Sequence, residues 1–323
     1  MNDLYPLRFR PILKQYIWGG RRFQSVLGRQ LGPGPNYAES WEICDRADDQ
    51  SIVSAGPLAG TKLRDLVGNR GPELLGRHHP QGRFPLLLKF LDAAKSLSVQ
   101  VHPNDEQAAL LAPPDTGKSE AWVVMAAEPG GTIYAGLKAG VDCAELETAI
   151  RQGRCETCLH AFQAAVGDCV FLPAGTVHAL GAGLLVAEVQ QPSDTTYRLS
   201  DWNRLGTDGK PRELHIEQGL AVVDFARGPV GPRQPRPTGR PSVDRLLECE
   251  KFVVDRRQFE RVESIGGDRR CHIIAVLRGA VEIEGDAVAE PLTVGGTVLL
   301  PASLGEISLK ARDPAVLLDA YLP

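Results

Sequence analysis

Four short polar segments between residues 100 and 198 carry side chains that could hold one metal ion. They are residues 100–105 (QVHPND), 117–122 (GKSEAW), 173–178 (PAGTVH) and the stretch from Glu188 to Arg198. Two imidazoles, one carboxylate and an amide form a mixed nitrogen and oxygen ligand set, which suits a divalent ion of the zinc type. With a coordination position left open, such an ion could polarise a substrate oxygen.

The first two segments each supply a candidate ligand from the end of a strand. Gln100 and His102 stand two residues apart in an alternating strand, so their side chains share one face. Glu120 opens an apolar run, where a carboxylate is costly unless it is paired or bound to a cation. Taken alone, His102 could be a surface residue before a turn, and Glu120 could form a salt bridge with Lys118. The ligand interpretation therefore depends on the other segments.

His178 ends the most specific pattern of the chain, Gly-x5-Pro-x-Gly-x2-His, which begins at Gly167. The glycine and proline residues predict a strand, a tight turn and a return strand that carries the histidine toward a barrel mouth. The same glycine and proline spacing recurs from Gly295 to Glu306, where glutamate replaces the histidine. So short a match can arise by chance, but a duplicated β module with a metal-free second copy explains it well.

Charged residues near the candidate ligands could act on a substrate. Glu188 and Arg198 could share proton transfer and anion stabilisation beside a metal, although a salt bridge between adjacent strands would also explain them. Lys95, Lys118 and Ser119 could hold a phosphate, although lysines on strand rims are commonly solvated.

Composition restricts the class of protein. The chain has 323 residues, of which 43% are hydrophobic and 24% charged, with a net charge of −4. This balance argues against nucleic acid or an anionic membrane surface as the partner. We expect no secretory signal and no membrane span. The seven cysteines are scattered and odd in number, which indicates reduced thiols in the cytoplasm. Cys155 and Cys158 resemble half a zinc ribbon, but no second CxxC exists, so a peripheral thiol pair is favoured.

Turn residues and short apolar runs predict a mainly β fold, a sandwich or barrel with few helices. The candidate strands are residues 84–91, 97–102, 120–125 and 169–172, and the candidate helices are 63–67 with 73–75, 105–111 and 143–151. Residues 227–237 are rich in proline, glycine and arginine, and we interpret them as a linker that cannot pack. The predicted domains are residues 1–236, which carry the site, and residues 237–323, a degenerate β domain.

Together these motifs resemble the type I phosphomannose isomerases of the cupin superfamily, in their shorter bacterial form. The resemblance runs through the predicted first domain in the family's order. It is carried by residues 14–20 (KQYIWGG), 38–43 (AESWEI), 97–104 (LSVQVHPN), 117–122 (GKSEAW) and 173–179 (PAGTVHA). Two departures are Cys44, where a serine is common, and the context of residues 195–197; they put substrate preference in doubt more than chemistry.

The resemblance implies two cupin-type β-barrel or jelly-roll domains and one zinc ion per chain. The implied metal ligands are His102, Glu120 and His178, with Gln100 as a fourth in some members. Arg198 corresponds to the family's catalytic arginine and Glu188 to an acid proposed to shuttle protons. Substrate binding is assigned to Lys118, Ser119, Lys95 and Trp41.

The implied reaction converts mannose 6-phosphate to fructose 6-phosphate through a cis-enediol. The partner is then a small sugar phosphate, and the chain would be a monomer or a dimer. Two alternatives stay open, a non-catalytic sugar-phosphate-binding cupin and another metal cupin enzyme such as an iron oxygenase. Iron cupins more usually present three histidines and one glutamate, which disfavours the second alternative. The presence of Arg198 and of all candidate ligands disfavours the first.

Overall fold

The structure, a computed structural model, describes residues 4–206 and 209–323. Short runs of β-branched and aliphatic residues between glycine and proline turns form strands almost throughout this part of the chain. The strands assemble into four sheets, two built from residues 12–200 and two from residues 236–321. This confirms the mainly β prediction with a few short helices.

Eleven strands form the two N-terminal sheets. The first sheet has the strand order β1-β2-β3-β10-β5-β8, and the second has the order β11-β4-β9-β6-β7. All pairings in both sheets are antiparallel. The strands are β1 (Ile12–Gly20), β2 (Tyr37–Ile43), β3 (Leu87–Ala93), β4 (Val99–Val101), β5 (Glu120–Ala127), β6 (Thr132–Leu137), β7 (Leu159–Gln163), β8 (Cys169–Leu172), β9 (His178–Leu180), β10 (Leu184–Gln190) and β11 (Tyr197–Ser200).

Ten further strands form the two C-terminal sheets. Their orders are β12-β13-β14-β21-β16-β19 and β15-β20-β17-β18. The strands are β12 (Arg236–Pro237), β13 (Val243–Glu248), β14 (Val253–Phe259), β15 (Val262–Gly266), β16 (His272–Arg278), β17 (Ala280–Ile283), β18 (Leu292–Thr293), β19 (Thr297–Leu300), β20 (Glu306–Ala311) and β21 (Ala315–Tyr321).

The C-terminal strands repeat the N-terminal order. Each six-stranded sheet places its last long strand, β10 or β21, between the third strand and the β5 or β16 strand. The short motif found in the sequence marks the same place in both halves. β8 and its turn lead into β9 at His178, and β19 and its turn lead into β20 at Glu306. The predicted duplication is thus present in the strand topology. The domain division at residue 236 stays a prediction.

Apolar side chains fill three spaces between the sheets. In the N-terminal half, Trp122 and Val186 of the first sheet pack with Ile133 of the second. In the C-terminal half, Ile274 and Leu309 belong to a similar cluster. The largest cluster joins the outer faces of the two six-stranded sheets and helix α2, with members that include Phe90, Val123, Ile273, Leu318 and Leu63. The two halves therefore share a core.

Short helices connect the strands, and the structure confirms the predicted ones. They are α1 (Arg22–Ser25), α2 (Leu63–Leu75), α3 (Asp105–Ala109), α4 (Cys143–Arg151) and α5 (Ile216–Val222). α2 joins two stretches that the sequence separates, with non-helical backbone at Arg70 just before Pro72, as expected because proline removes a helical donor. Within the described residues, none of these helices has the length and apolarity that crossing a membrane requires.

The segment predicted to be an unpacked linker differs from that expectation. Val230 donates its backbone N–H to Ala135 O at 3.0 Å, and Arg233 donates to Cys169 O at 2.7 Å. The Arg233 guanidinium also lies over the ring of Phe171. Prolines cannot donate hydrogen bonds, but the residues between them do, so the segment lies along β6 and β8 instead of standing free.

The thiol pair Cys155 and Cys158 lies in a 3-10 turn after α4, and both cysteines are buried and free. Burial raises the pKa of the Cys155 thiol to about 12. Among the described residues, neither thiol belongs to a group that could hold a metal. The pair serves as part of the apolar cluster around α4.

Candidate metal centre and active-site cavity

Strand register brings three of the predicted residues side by side. In the second sheet Arg198 of β11 lies opposite Gln100 of β4, and Gln100 lies opposite His178 of β9. Residues opposite one another in neighbouring strands project to the same face. The row Arg198, Gln100 and His178 therefore crosses one face of the sheet, although Gln100 is far from both of its neighbours in sequence.

Turns at the strand ends complete the group. His102 follows β4, and the backbone N–H of Gly175 donates to its carbonyl oxygen at 2.8 Å. Gly175 lies in the turn before His178 with φ of +84°, a left-handed conformation that favours glycine. Glu120 begins β5 in the facing sheet. One ligand atom from each of His102, Glu120 and His178 lies within 4.8 Å of the others, and all three residues are buried.

Hydrogen bonds fix the orientation of both imidazoles. His102 Nδ1 lies 2.9 Å from the carbonyl oxygen of Thr195, and His178 Nδ1 lies 2.9 Å from that of Thr176. A carbonyl can only accept, so both Nδ1 atoms carry the proton. The other ring nitrogen, Nε2, faces Glu120 in both residues, at 3.5 Å for His102 and 3.2 Å for His178, which is the arrangement of metal-binding histidines.

This donor set fits a cation. His178 Nε2 lies 3.2 Å from Glu120 Oε1, but among the described residues this buried carboxylate oxygen has no hydrogen-bond partner. A buried ionised oxygen without a partner is unfavourable unless a positive charge lies beside it. The Lys118 ammonium supplies such a charge in this structure, 3.0 Å from His102 Nε2 and in contact with Glu120 Oε2. Two imidazoles and one carboxylate match the ligand set of a metal site with an open position.

Burial and neighbouring charges determine the ionisation of Glu120 and His102. Burial opposes ionisation of Glu120, but the ammonium group of Lys118 holds the pKa of this carboxyl well below its ordinary value. Burial and Lys118 hold the pKa of His102 well below its ordinary value. Glu120 is therefore anionic and His102 neutral near neutral pH, which are the forms that bind a metal.

Gln100, predicted to be a fourth ligand, lies beside His178. Its Nε2 lies 3.3 Å from His178 Nε2, and Ser98 Oγ lies 3.4 Å from its Oε1. The two ends of a side-chain amide exchange by rotation about one bond, and the neighbours decide which end is favoured. With a cation at the centre, rotation would turn the carbonyl oxygen toward it.

A network behind His102 holds the loop that supplies Thr195. Asp115 Oδ2 accepts hydrogen bonds from Ser193 Oγ at 2.8 Å and from Thr195 Oγ1 at 3.0 Å. Arg83 donates to Asp115 Oδ1 at 3.2 Å. Because the same Thr195 accepts from His102 Nδ1, Asp115 indirectly sets the direction of the metal-binding ring.

The metal centre lies beside a polar cavity of about 240 Å³. Gln100, Lys118, Glu188 and Arg198 line it. The Oε2 atom of Glu188 accepts from the indole of Trp122 at 2.7 Å, while its Oε1 has no hydrogen-bond partner among the described residues. Burial, reinforced by the negative charge of Glu120, raises the pKa of Glu188 above its ordinary value. A buried carboxylate with a raised pKa and one oxygen that accepts no hydrogen bond has the properties of a general base.

Positive charge lines the same cavity. Lys89 Nζ lies 3.1 Å from Glu188 Oε1, outside hydrogen-bonding geometry, and 3.3 Å from Glu39 Oε2. Burial disfavours the charge of Lys89, yet Glu188 and Glu39 raise its pKa above the ordinary value. Arg198 donates from Nη1 to the Glu213 carbonyl at 2.9 Å, whereas its Nε is buried without a partner among the described residues. An unsatisfied guanidinium N–H and a buried ammonium favour an anionic ligand.

Three residues predicted to bind substrate lie away from the cavity wall. Ser119 is buried, and its hydroxyl accepts from the backbone of Ala174 at 3.1 Å. Trp41 is 2% exposed, and its indole donates to Glu39 at 2.7 Å. Lys95 is exposed. None of the three lines the cavity described above, whereas Lys118 does. Their roles in substrate binding stay predictions.

Sequence reasoning missed several cavity residues, which are Tyr16, Trp18, Glu39, Lys89, Asp194, Thr196 and Arg212. Lys89 had a signal, because a lysine inside the apolar run 84–91 must find a partner. No local pattern indicated Arg212. It reaches the cavity from the segment between β11 and α5, and its Nε donates a hydrogen bond to Asp201 at 2.8 Å.

Comparison with known proteins agrees with this geometry. The family model described as phosphomannose isomerase type I, catalytic domain, matches residues 7–121. Mannose-6-phosphate isomerase ManA of Bacillus subtilis (strain 168) is 34% identical over 310 residues, which cover 94% of this chain and 96% of that protein. A mannose-6-phosphate isomerase of Streptococcus mutans is 37% identical over 222 residues, 69% of each chain.

The fold agrees as well. The crystal structure of the mannose 6-phosphate isomerase from Bacillus subtilis matches with a TM-score of 0.89 at 29% identity, covering 99% of this chain and 100% of its own. Similarity therefore extends along nearly the whole length and includes the sheets that build the metal centre. The chain belongs to the type I phosphomannose isomerase family.

Proposed function

We propose that this chain interconverts mannose 6-phosphate and fructose 6-phosphate, with one zinc ion held by His102, Glu120, His178 and Gln100. The observation that carries the proposal is the convergence of two imidazoles and a buried carboxylate beside a polar cavity. Metal-dependent isomerase activity is also what the family implies. Among divalent metal ions we propose zinc, because imidazole and carboxylate ligands with an open coordination position suit it.

The reaction moves a proton between C1 and C2 of the sugar. A bound zinc ion would supply Lewis acidity to the carbonyl and hydroxyl oxygens of the substrate. Glu188 takes the proton from C2 of the aldose on Oε1 and returns it to C1 on the same face through a cis-enediol, while the hydroxyl proton of O2 passes to O1, so that the C2 carbonyl of the ketose forms. Trp122 holds the other oxygen of Glu188, so the carboxylate keeps one direction during both transfers.

The cationic side chains act on charge that develops or is already present. Arg198 stabilises the oxyanion that forms when the proton leaves C2. Lys118 binds the substrate from the wall that it shares with Glu188, whose Oε1 lies 3.9 Å from its Nζ. Lys89 keeps Glu188 ionised in the resting enzyme, since a buried carboxylate with no positive neighbour would hold its proton.

A coupled assay that follows fructose 6-phosphate formation tests the proposal. We expect activity that a chelator removes and zinc restores, together with one zinc ion per chain in the purified protein. No turnover by the metal-loaded protein would favour a non-catalytic sugar-phosphate-binding protein, and iron with oxygen consumption would favour an oxygenase. Either result would overturn the isomerase assignment.

The proposal also covers the oligomeric state of the protein and its location in the cell. We infer a monomer or a dimer that acts on a small sugar phosphate in the cytoplasm. Light scattering on the purified chain measures its mass, and a tetramer would contradict this inference. Fractionation of producing cells tests the location.

A further inference from the structure

A second cavity, of about 160 Å³, opens in the C-terminal half. It lies at the place that corresponds to the active site, because its wall includes Gly266, Asp268 and His272. Register relates these positions to the metal centre: Gly266 lies opposite Glu306 as Gln100 lies opposite His178, and His272 lies opposite Leu300 as Glu120 lies opposite Leu172. The isomerase chemistry makes no use of this cavity.

Buried charged side chains build its wall. Asp255 and His272 are each 3% exposed and Arg257 is 5% exposed, and all three line the cavity. Arg245 and Arg240 complete the cationic part of the wall. Ionised groups are expensive to bury, so a cavity made of them is a specialised environment and differs from an apolar packing defect.

Hydrogen-bonding capacity toward the cavity consists of donors. Arg257 donates from Nε to Asp319 at 2.9 Å and from Nη1 to Glu263 at 3.1 Å. Its Nη2 makes no hydrogen bond to any residue in the described ranges 4–206 and 209–323. The exposed Arg240 side chain at the rim likewise has no ion pair within those ranges. Two guanidinium groups thus keep N–H donors available.

The acceptors in the wall are already occupied. Asp255 accepts from Arg245 on Oδ1 and from Tyr321 on Oδ2 at 2.7 Å. Asp268 accepts from His272 at 3.2 Å and from Arg270 at 2.9 Å. A cation would therefore find no free carboxylate oxygen, and the only metal-type cluster found among the described residues is the one in the N-terminal half.

The charges of the wall are paired. His272 contacts Asp319 through Nδ1 at 2.8 Å and Asp268 through Nε2, so both ring nitrogens act as donors and the ring is cationic. The carboxylates of Asp255, Asp268, Asp319 and Glu263 stand against the four cationic side chains Arg240, Arg245, Arg257 and His272. The free N–H donors, and not an excess of positive charge, therefore favour an anion in this cavity.

We propose that this cavity binds a phosphate group, with Arg257 and Arg240 as its donors. Arginine N–H groups in a fork match the oxygens of a tetrahedral oxyanion, and the cavity volume suits one such group. The phosphate group comes from inorganic phosphate or from a phosphomonoester. The site is separate from the isomerase centre, and the proposal does not depend on the reaction there.

Calorimetric titration of the full chain tests the proposal, with inorganic phosphate in one arm and methyl phosphate in the other. We expect two phosphate sites per chain, one at the isomerase cavity and one in the C-terminal half. Binding of methyl phosphate at both sites indicates a phosphomonoester, and binding of inorganic phosphate alone at the second indicates the free ion.

Variants assign the second site. Arg240→Gln changes an exposed rim residue and should weaken one site at least tenfold, about 1.4 kcal/mol, while the other is retained. Arg257→Lys should do the same by removing the fork. Arg236→Gln, an exposed arginine outside the cavity wall, is the matched control and should leave both sites intact. A wild type in which no phosphate site is weakened by Arg240→Gln or by Arg257→Lys overturns the proposal, whatever is found at the isomerase cavity.

Discussion

The two halves of this chain present one strand frame with two different sets of ionisable side chains. In the N-terminal half the corresponding positions hold Glu120 and Glu188, and two imidazoles face the carboxylate of Glu120. In the C-terminal half they hold His272 and Asp319, which contact each other at 2.8 Å. Among the described residues the first set leaves Glu120 Oε1 without a partner, so it can accept a cation, whereas the charged groups of the second set pair with each other. The shared strand order places the side chains at corresponding positions, and the types of these side chains determine whether a metal can bind.

The largest effect is expected when the metal set itself is changed. Glu120→Gln removes the only carboxylate of the set, so the ion should be lost and kcat/KM should fall about a thousandfold or more, equivalent to about 4 kcal/mol of transition-state stabilisation. Metal analysis and the coupled assay measure both quantities. The matched control is Glu306→Gln, at the position corresponding to His178, where the exposed carboxylate should be dispensable. An equal loss in the control would contradict the assigned difference between the halves.

A smaller but still large effect is expected at the proposed base. Glu188→Gln keeps the shape of the side chain and removes its basicity, so kcat should fall at least about a hundredfold while zinc content is retained. Exchange of the C2 hydrogen with solvent should slow in parallel. Asp319→Asn is the corresponding change in the C-terminal half, and it should lower stability while kcat per folded molecule is unchanged. Loss of metal in Glu188→Gln would instead mean that this residue supports the metal site.

The third effect concerns the pH dependence of stability. Burial alone would lower the pKa of His272, but Asp319 and Asp268 raise it to about 9 from the ordinary 6.5. A raised pKa means that the folded state binds the proton more tightly, so this contribution is complete below pH 6.5 and is lost as the pH rises through about 9. The free energy of unfolding should fall by up to about 3 kcal/mol across this range.

Denaturant titrations at several pH values measure this change. His272→Gln should be less stable at pH 6 and should show a flatter pH dependence than the wild type. His160→Gln is a suitable control, because that ring contacts Phe162 and has no ion pair among the described residues. A wild-type slope in His272→Gln would show that other groups govern the alkaline loss of stability.

The smallest effect is expected behind the metal centre. Asp115→Asn weakens the hydrogen bonds to Ser193 and Thr195 that orient the His102 ring, so zinc affinity should fall about tenfold. Competition with a chromophoric chelator measures the affinity. Asp224→Asn is the control. Asp224 forms a partly exposed ion pair with Arg227, and this variant should bind zinc normally. Unchanged affinity in Asp115→Asn would show that the loop keeps its position without this carboxylate.

Local patterns predicted the parts of the site that local rules determine. The spacing of glycine and proline around His178 sets a turn, and the alternation of Gln100 and His102 sets a face, so both are readable from neighbouring residues. Lys89 and Arg212 were missed because their partners, Glu188 and Asp201, come from other segments that only the sheet register and loop path bring close. The duplicated strand order was predicted because the glycine and proline spacing that indicates it is local. The ion pair of His272 and Asp319 was missed because the two residues are distant in sequence.

One contact ties the beginning of the chain to its end. Leu7 and Leu299 exchange two backbone hydrogen bonds, of 2.8 and 2.9 Å, across almost the entire sequence. During synthesis Leu7 leaves the ribosome long before Leu299 has been added. This pair of hydrogen bonds therefore cannot form until synthesis has passed residue 299, so it closes late in folding.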